Sequence, residues 1–376
     1  MERFTGQELG ERPHIAVLFA DKLGGFVVAT PLLRGLKEHY PNSVVDYFGG
    51  DRTAELEETC PYVDSRFSTF GKDLPLRRAA AYIAESEAGH GRYDLAINLD
   101  FHPVNAALTA TLNPRYVVGR AYTPDFRSEI PFGDDRIDGL HREFWSAPDL
   151  LYRYRDVLDS SYIGEIFCRL ARIETDYHHT EVPTAPPGRP VPDVLIATGG
   201  TRKTKLWPTR HWEALIDALG ERGLSVGLLG SAPAIQRSHY GSADADSYLL
   251  EHTALIDLRG VFTLPQVNGA LAEAKACVTI DTGIMHLAYS VGTPTVALFG
   301  SSPWKVWVPR RPNLAVVLPR VDCPLCEENQ FRNDACLRTD VENWCMENVT
   351  PDHVLARLDR LMAQVAATSA TAVGNR

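Results

Sequence analysis

Three places in the sequence gather residue types that can do chemistry. The first is Asp281-Thr282-Gly283 with His286. A strand ending on Asp281 and passing through Thr282 and Gly283 into a helix aims free backbone N–H groups and the positive end of the helix dipole at one point. His286 lies at i+4 from Thr282, on the same helix face, where it can donate to a phosphate oxygen. The segment therefore reads as an anion site. The plainer alternative makes Asp281 only a helix cap and His286 a hydrogen-bonded core histidine.

The second place is Thr198-Gly199-Gly200-Thr201-Arg202-Lys203-Thr204-Lys205. Paired glycines after a strand let the backbone come close to a ligand, and Lys203 and Lys205 supply counter-charge for a diphosphate. Taken alone it reads equally well as a solvated basic turn. Thr198, Gly200, Thr201, Lys203 and Lys205 join Asp281, Thr282, Gly283 and His286 as residues expected to converge on one phosphate-bearing ligand, because both segments follow strands of the same half of the chain. The third place is Cys323, Cys326, Cys336 and Cys345, spaced C-x2-C-x9-C-x8-C. Four thiols at that spacing could hold tetrahedral zinc, but a zinc ribbon's second C-x-x-C is missing. The segment is expected to be architecture beside the site, with no metal and no cofactor required. Asp244-Ala245-Asp246 resembles the D-x-D of metal-dependent transferases, yet its polar loop setting lacks the strand such a motif needs, and it is set aside.

The elements that must position these residues alternate. His14–Ala20, Ser43–Phe48 and Asp94–Leu99 read as strands, with a helix over 30–37 and a helical region over 75–89. A Pro-rich stretch at 183–193 then divides the chain, and the alternation restarts with strands at 193–198, 225–229, 277–280 and 295–299. Helices are expected at 211–219, 266–274 and 283–291. The pattern predicts an α/β protein of two Rossmann-like doubly wound domains, 1–185 and 186–376, facing a central cleft. In such sheets ligands bind at the carboxyl ends of strands.

Composition narrows the partners. The 376 residues are 44% hydrophobic and 23% charged, ordinary for a globular chain, and 38 Lys+Arg against 48 Asp+Glu leave a net charge of −10. A wide nucleic-acid footprint is thereby excluded, and a phosphate site must be a local basic pocket. Residues 1–13 have no apolar core of a signal peptide, and no apolar run is long enough to span a membrane, so a cytoplasmic location is expected. Seven cysteines, an odd number, argue for reduced thiols over a disulfide framework.

The run D-T-G-I-M-H-L-A-Y-S-V-G-T-P-T-V-A-L-F-G (281–300), with K-L-W-P (205–208), T-P-L-L-R-G-L-K (30–37), Y-D-L-A-I-N-L (93–99) and N-P-R-Y-V-V-G-R (113–120), resembles glycosyltransferase family 9, the lipopolysaccharide heptosyltransferases. The resemblance implies a GT-B fold, donor binding in the C-terminal domain, and metal-independent, inverting transfer of a sugar from ADP-L-glycero-D-manno-heptose. It places Lys205 on donor phosphate, Asp281, Thr282, Gly283 and His286 on the nucleotide diphosphate, and Thr30 beneath the reaction centre. Two departures stand out. The family loop usually reads G-D, its Asp serving as general base, where this chain has Gly24-Gly25. Asp21, four residues upstream in the same loop, is then the preferred base, with Asp100 as the alternative, His102 as a further candidate, and Gly24, Gly25, Thr30 and His102 on the acceptor side. The 98–105 loop, N-L-D-F-H-P-V-N, carries no Lys or Arg, which suggests an acceptor less anionic than a lipid A–Kdo core, such as a small molecule or glycan. Two other readings are a nucleotide-sugar-binding homologue without turnover and a GT-B-like nucleotide-sugar epimerase.

Overall fold

The computed structural model describes residues 1–19, 22–69, 75–235 and 242–374. Chain contacts divide it into two compact units, Met1–Pro183 and Thr184–Arg376. The first unit holds a six-stranded sheet of β1 (Glu2–Arg3), β2 (His14–Leu18), β3 (Val44–Gly49), β4 (Ser65–Ser68), β5 (Leu95–Asn98) and β6 (Tyr116–Val118), in the order β1-β6-β5-β2-β3-β4. The second repeats the plan with β7 (Val194–Ala197), β8 (Val226–Leu228), β9 (Ile256–Asp257), β10 (Ala276–Ile280), β11 (Thr295–Leu298) and β12 (Leu314–Val317), in the order β12-β11-β10-β7-β8-β9. All pairings are parallel. Every residue of β2, β3, β5, β7, β10 and β11 is buried, as expected of parallel strands covered on both faces.

The strand order explains where sites can form. In the first unit the chain runs outward from β2 through β3 and β4, then returns to the other side of β2 at β5. In the second it runs from β7 through β8 and β9, then returns beside β7 at β10. Crevices open at these switch points, between the loops after β2 and β5 and between the loops after β7 and β10. Among the described residues, the donor-side and acceptor-side residues nominated from sequence fall on those four loops and on the helices that follow them.

One helix differs from expectation. It spans Leu23–His39, so Gly24 and Gly25 are its first turn and Thr30 lies inside it, where a helix over 30–37 was expected with the glycines in a loop. The Thr-Pro pair does not start the helix. Pro31 has no N–H to give the Val27 carbonyl, and the Thr30 hydroxyl donates to that oxygen instead, at 2.8 Å, which lets the helix run through. The core of the second unit packs Trp212, Leu215, Ile216 and Leu219 of the Thr209–Glu221 helix and Val354, Leu355, Leu358 and Leu361 of the Pro351–Gly374 helix on the sheet.

Candidate active site

In the second unit the two basic and acidic segments meet. The turn Lys203–Lys205 is short 3₁₀ helix, held by Trp207, which is buried in the core and donates from Nε1 to the Val349 carbonyl at 2.6 Å. That anchor sets Lys205 Nζ 2.5 Å from Asp281 Oδ2. Asp281 is therefore not the helix cap expected from sequence. The cap position of the Gly283–Ser290 helix falls to Thr282, whose side chain makes no capping bond and whose hydroxyl stands 3.2 Å from Thr279 Oγ1. A buried carboxylate gains more from a cation than from a helix end. The first-turn N–H groups consequently keep their capacity for an anion.

Electrostatics at the pair favour the charged forms. Burial alone would raise the Asp281 carboxyl, but the Lys205 charge and hydrogen bond outweigh it and hold the group below the ordinary carboxylate value. The ammonium has three N–H donors and Asp281 takes one. His286, on the same helix, is pushed down to about 4 by burial and is neutral at pH 7. Its Nδ1 lies 2.8 Å from the Tyr289 hydroxyl.

The loop after β7 serves in two ways. The Thr198 hydroxyl donates to Asp246, which is fully buried and also accepts from Ser242 Oγ at 3.2 Å. Thr198 is thus committed inward, while Thr201 and Lys203 are exposed and Gly200 packs beside Ile280. Asp244-Ala245-Asp246, read from sequence as a polar loop, opens the Ala243–His252 helix instead. Its second Asp orders the glycine turn from behind.

Sequence reasoning missed two residues here. Ser301 follows β11, the strand beside β10, which leads into Asp281, and its buried hydroxyl has no hydrogen-bond partner among the described residues. Arg202 donates to the Ser301 carbonyl at 3.3 Å and to the Asn333 carbonyl at 3.1 Å, tying the loop after β7 to the loop after β11. The G-S-S that follows a buried strand was the available signal.

The first unit presents a different set. Asp21 lies outside the described residues. Asp100, at the end of β5, accepts from the His102 N–H at 3.0 Å and from Asn105 Nδ2 at 3.3 Å, and is partly exposed. His102 caps the Pro103–Leu112 helix, its Nδ1 accepting from the Val104 N–H at 3.3 Å. An imidazole used that way carries its neutral-form proton on Nε2, so it offers a donor and not a base. Thr30 is fully buried and its Oγ1 accepts from the Glu181 N–H at 3.1 Å. At Gly25, a Cβ would stand 2.7 Å from Phe19 Cε1, so the aromatic ring fills the space a side chain would need. Phe19 continues into a series of rings, to Phe167 at 4.9 Å, then Trp145 at 5.8 Å, then the exposed Phe101 at 4.8 Å, ending between Asp100 and His102. Although the 98–105 loop has no Lys or Arg of its own, Arg120 donates to the Phe101 carbonyl at 2.9 Å, with its charge paired to Glu129.

Two parallel six-stranded sheets in two Rossmann-like units define the GT-B class, and the switch point of the second carries the Lys205–Asp281 pair beside a helix start without a side-chain cap. The glycosyltransferase family 9 (heptosyltransferase) profile matches residues 88–336, two thirds of the chain, and the protein belongs to that family: it is a glycosyltransferase. It is 37% identical over 116 residues to lipopolysaccharide heptosyltransferase 1 of Pseudomonas aeruginosa, a match covering 31% of this chain and 30% of that one. It is 24% identical to lipooligosaccharide heptosyltransferase 2 of Haemophilus ducreyi over 93% of this chain and 99% of the relative. The structure of E. coli ADP-heptose lps heptosyltransferase II superposes with a TM-score of 0.62 at 20% identity, covering 93% of this chain and 99% of that one. Among the described residues, no helix is long and apolar enough to cross a membrane.

Proposed function

We propose that this glycosyltransferase takes a heptose from an ADP-heptose donor and transfers it, with inversion, to an acceptor hydroxyl, without a metal ion at the reacting atoms. The observation that carries the reading is the Lys205–Asp281 pair at the uncapped start of the Gly283–Ser290 helix, with His286 one turn along. Lys205 keeps two N–H donors for the diphosphate. His286, with Nδ1 beside the Tyr289 hydroxyl, keeps Nε2 as the ring nitrogen for the donor. Helix N–H groups, ammonium and imidazole together stabilise charge on the departing ADP. These groups supply charge that a metal supplies elsewhere.

On the acceptor side, Asp100 is the base. It is partly exposed, carries no cation, and its neighbours orient it through Asn105 and the His102 backbone. His102 serves as a helix cap. The aromatic series from Phe19 to Phe101, with Arg120 neutralised by Glu129, suits a weakly charged ring-bearing acceptor better than a strongly anionic one. Heptosyltransferase relatives support the donor, and the pairing of Arg120 supports the acceptor class.

Calorimetric titration with ADP, UDP, GDP and dTDP tests the donor half. Selective ADP binding that His286→Ala weakens is expected; equal binding of all four, or no effect of the substitution, overturns it. ADP release from ADP-heptose, compared between neutral methyl glycosides and a Kdo-terminated core, tests the acceptor half. Faster release with the anionic core would refute the acceptor class proposed.

A further inference from the structure

The loops after β5 and β6 in the first unit put large apolar side chains into water, and every one of them is aromatic. Among the described residues of 99–162 they are Phe101, Phe126, Phe144 and Tyr152. A lone exposed ring needs no explanation, but two of these stand around one tryptophan. Phe101 lies 4.8 Å, ring to ring, from the half-buried Trp145, and Phe144 is the residue before that tryptophan. Trp145 is fixed in turn, since its Nε1 donates to the Leu140 carbonyl at 2.9 Å and its ring packs on the buried Phe167 at 5.8 Å. Phe101 is held by its carbonyl, which accepts from Arg120 at 2.9 Å, and it still leaves 48% of its surface exposed.

Phe126 reaches the surface through strained backbone. Its φ of 57° lies in the left-handed region that bulky side chains rarely adopt. The turn is closed around it: the Thr123 N–H donates to the Ser128 carbonyl and the Phe126 N–H to the Thr123 carbonyl, each at 2.8 Å, and Tyr122 bridges Glu129. The ring stays half exposed, so it gains little burial in return. Glu129 also pairs with Arg120, which ties the base of the turn to Phe101. The cations beside both rings therefore have carboxylate partners, Arg120 with Glu129 and Arg127 with Asp125 at 3.7 Å, and they offer an anionic group no surplus positive charge.

We propose that Phe101, Phe126 and Phe144 form a subsite for the aglycone of the acceptor, an uncharged aromatic ring system joined to the sugar that receives the transfer. The proposal deepens the acceptor reading above and rests on it. Aromatic side chains take a flat ring by offset or edge contact. An acyl chain is best covered by aliphatic side chains, and among the described residues these loops expose no large one. The paired charges disfavour a charged aglycone. The ring series from Phe19 runs through Phe167 and Trp145 to Phe101, so the subsite is continuous with the acceptor side already described. Phe101 follows Asp100 in the chain, and a ring held on it carries the attached sugar toward that carboxylate. The subsite selects the acceptor and takes no part in proton transfer.

Calorimetric titration of the full chain with 4-nitrophenyl, octyl and methyl β-D-glucopyranosides tests this, with tryptophan emission followed in parallel. The nitrophenyl glycoside is expected to bind at least about tenfold more tightly than the other two. It should also quench emission, and Trp145→Phe should remove most of that quenching because Trp145 adjoins Phe101. Phe101→Ala should bring the preference for the nitrophenyl glycoside close to one, and Phe126→Ala should reduce it severalfold, with the urea midpoint of each variant confirming that it folds. Equal binding of all three glycosides, or binding of none, overturns the proposal. Octyl binding as tight as nitrophenyl binding would assign the surface to an acyl chain and overturns it too, as does an undiminished preference in both variants. Faster ADP release with a Kdo-terminated core than with neutral glycosides would count against the acceptor reading alone. Neutral glycosides favoured over that core without any aromatic preference would count against the subsite alone.

Discussion

At the scale of single residues, the proposed donor site is an arrangement in which one buried charge is kept in place by another. Lys205 and Asp281 are each largely withdrawn from water, so removing either strands its partner. Lys205→Ala should cost roughly 3 kcal/mol of stability, read by urea unfolding, and weaken ADP binding at least tenfold, about 1.4 kcal/mol. Adding Asp281→Asn to that variant should restore most of the stability and none of the affinity. If affinity returned with stability, Lys205 would be a structural residue only. On the acceptor side the two candidates separate by their hydrogen bonds. Asp100→Asn should lower kcat by about a hundredfold or more while ADP affinity stays unchanged. His102→Ala should instead cost about 1 kcal/mol of stability through the lost cap, with kcat little altered. A large kcat loss in His102→Ala at normal stability would reverse these assignments.

Elements explain why some of this was legible in the sequence and some was not. The buried strands and the Asp281-Thr282-Gly283 and Thr198-Gly200 loops announce themselves, because β-branched runs ending in small residues have few other solutions. The Leu23–His39 helix did not, because Thr30-Pro31 looks like a helix start unless the Thr hydroxyl is known to replace the missing Pro N–H. Nor could sequence show that Asp281 prefers Lys205 to the helix end, or that Phe19 occupies the space beside Gly25, since both are contacts across turns. The Phe19 contact has a testable consequence. Gly25→Asp, which would reproduce the residue the family resemblance leads one to expect, must displace a ring that stands 2.7 Å from the new Cβ. It should destabilise the protein by about 1 to 3 kcal/mol. Phe19→Ala should relieve that penalty in a double-mutant cycle, because the two positions share one space. Additive effects of the two substitutions would show that the ring moves freely and that Gly25 is not sterically required.

At the scale of the molecule, each unit carries a buried histidine held neutral by the fold, and this ties stability to pH in both. Burial pushes His286 down to about 4 in the second unit and His141 down to about 3 in the first, where the charges of Arg3 and Arg172 add to the effect. An unfolded histidine titrates near 6.5, so as pH falls below that value the unfolded chain gains protons that the folded chain refuses. The stability these groups contribute is complete above pH 6.5 and is lost progressively down to about pH 4, on the order of 3 kcal/mol from each. Asp281 acts later, since its folded value lies below the ordinary carboxylate range and its contribution fades only under about pH 4. Urea unfolding followed between pH 7.5 and 4.5 should therefore show a steady decline, and His286→Gln and His141→Gln should each remove about half of it. ADP at a hundred times its Kd should add about 2.7 kcal/mol to the unit that contains His286 and leave the decline due to His141 untouched. A pH-independent midpoint over this window would mean that these imidazoles take up protons in the folded state, and the neutral imidazole assigned to His286 would fall with it.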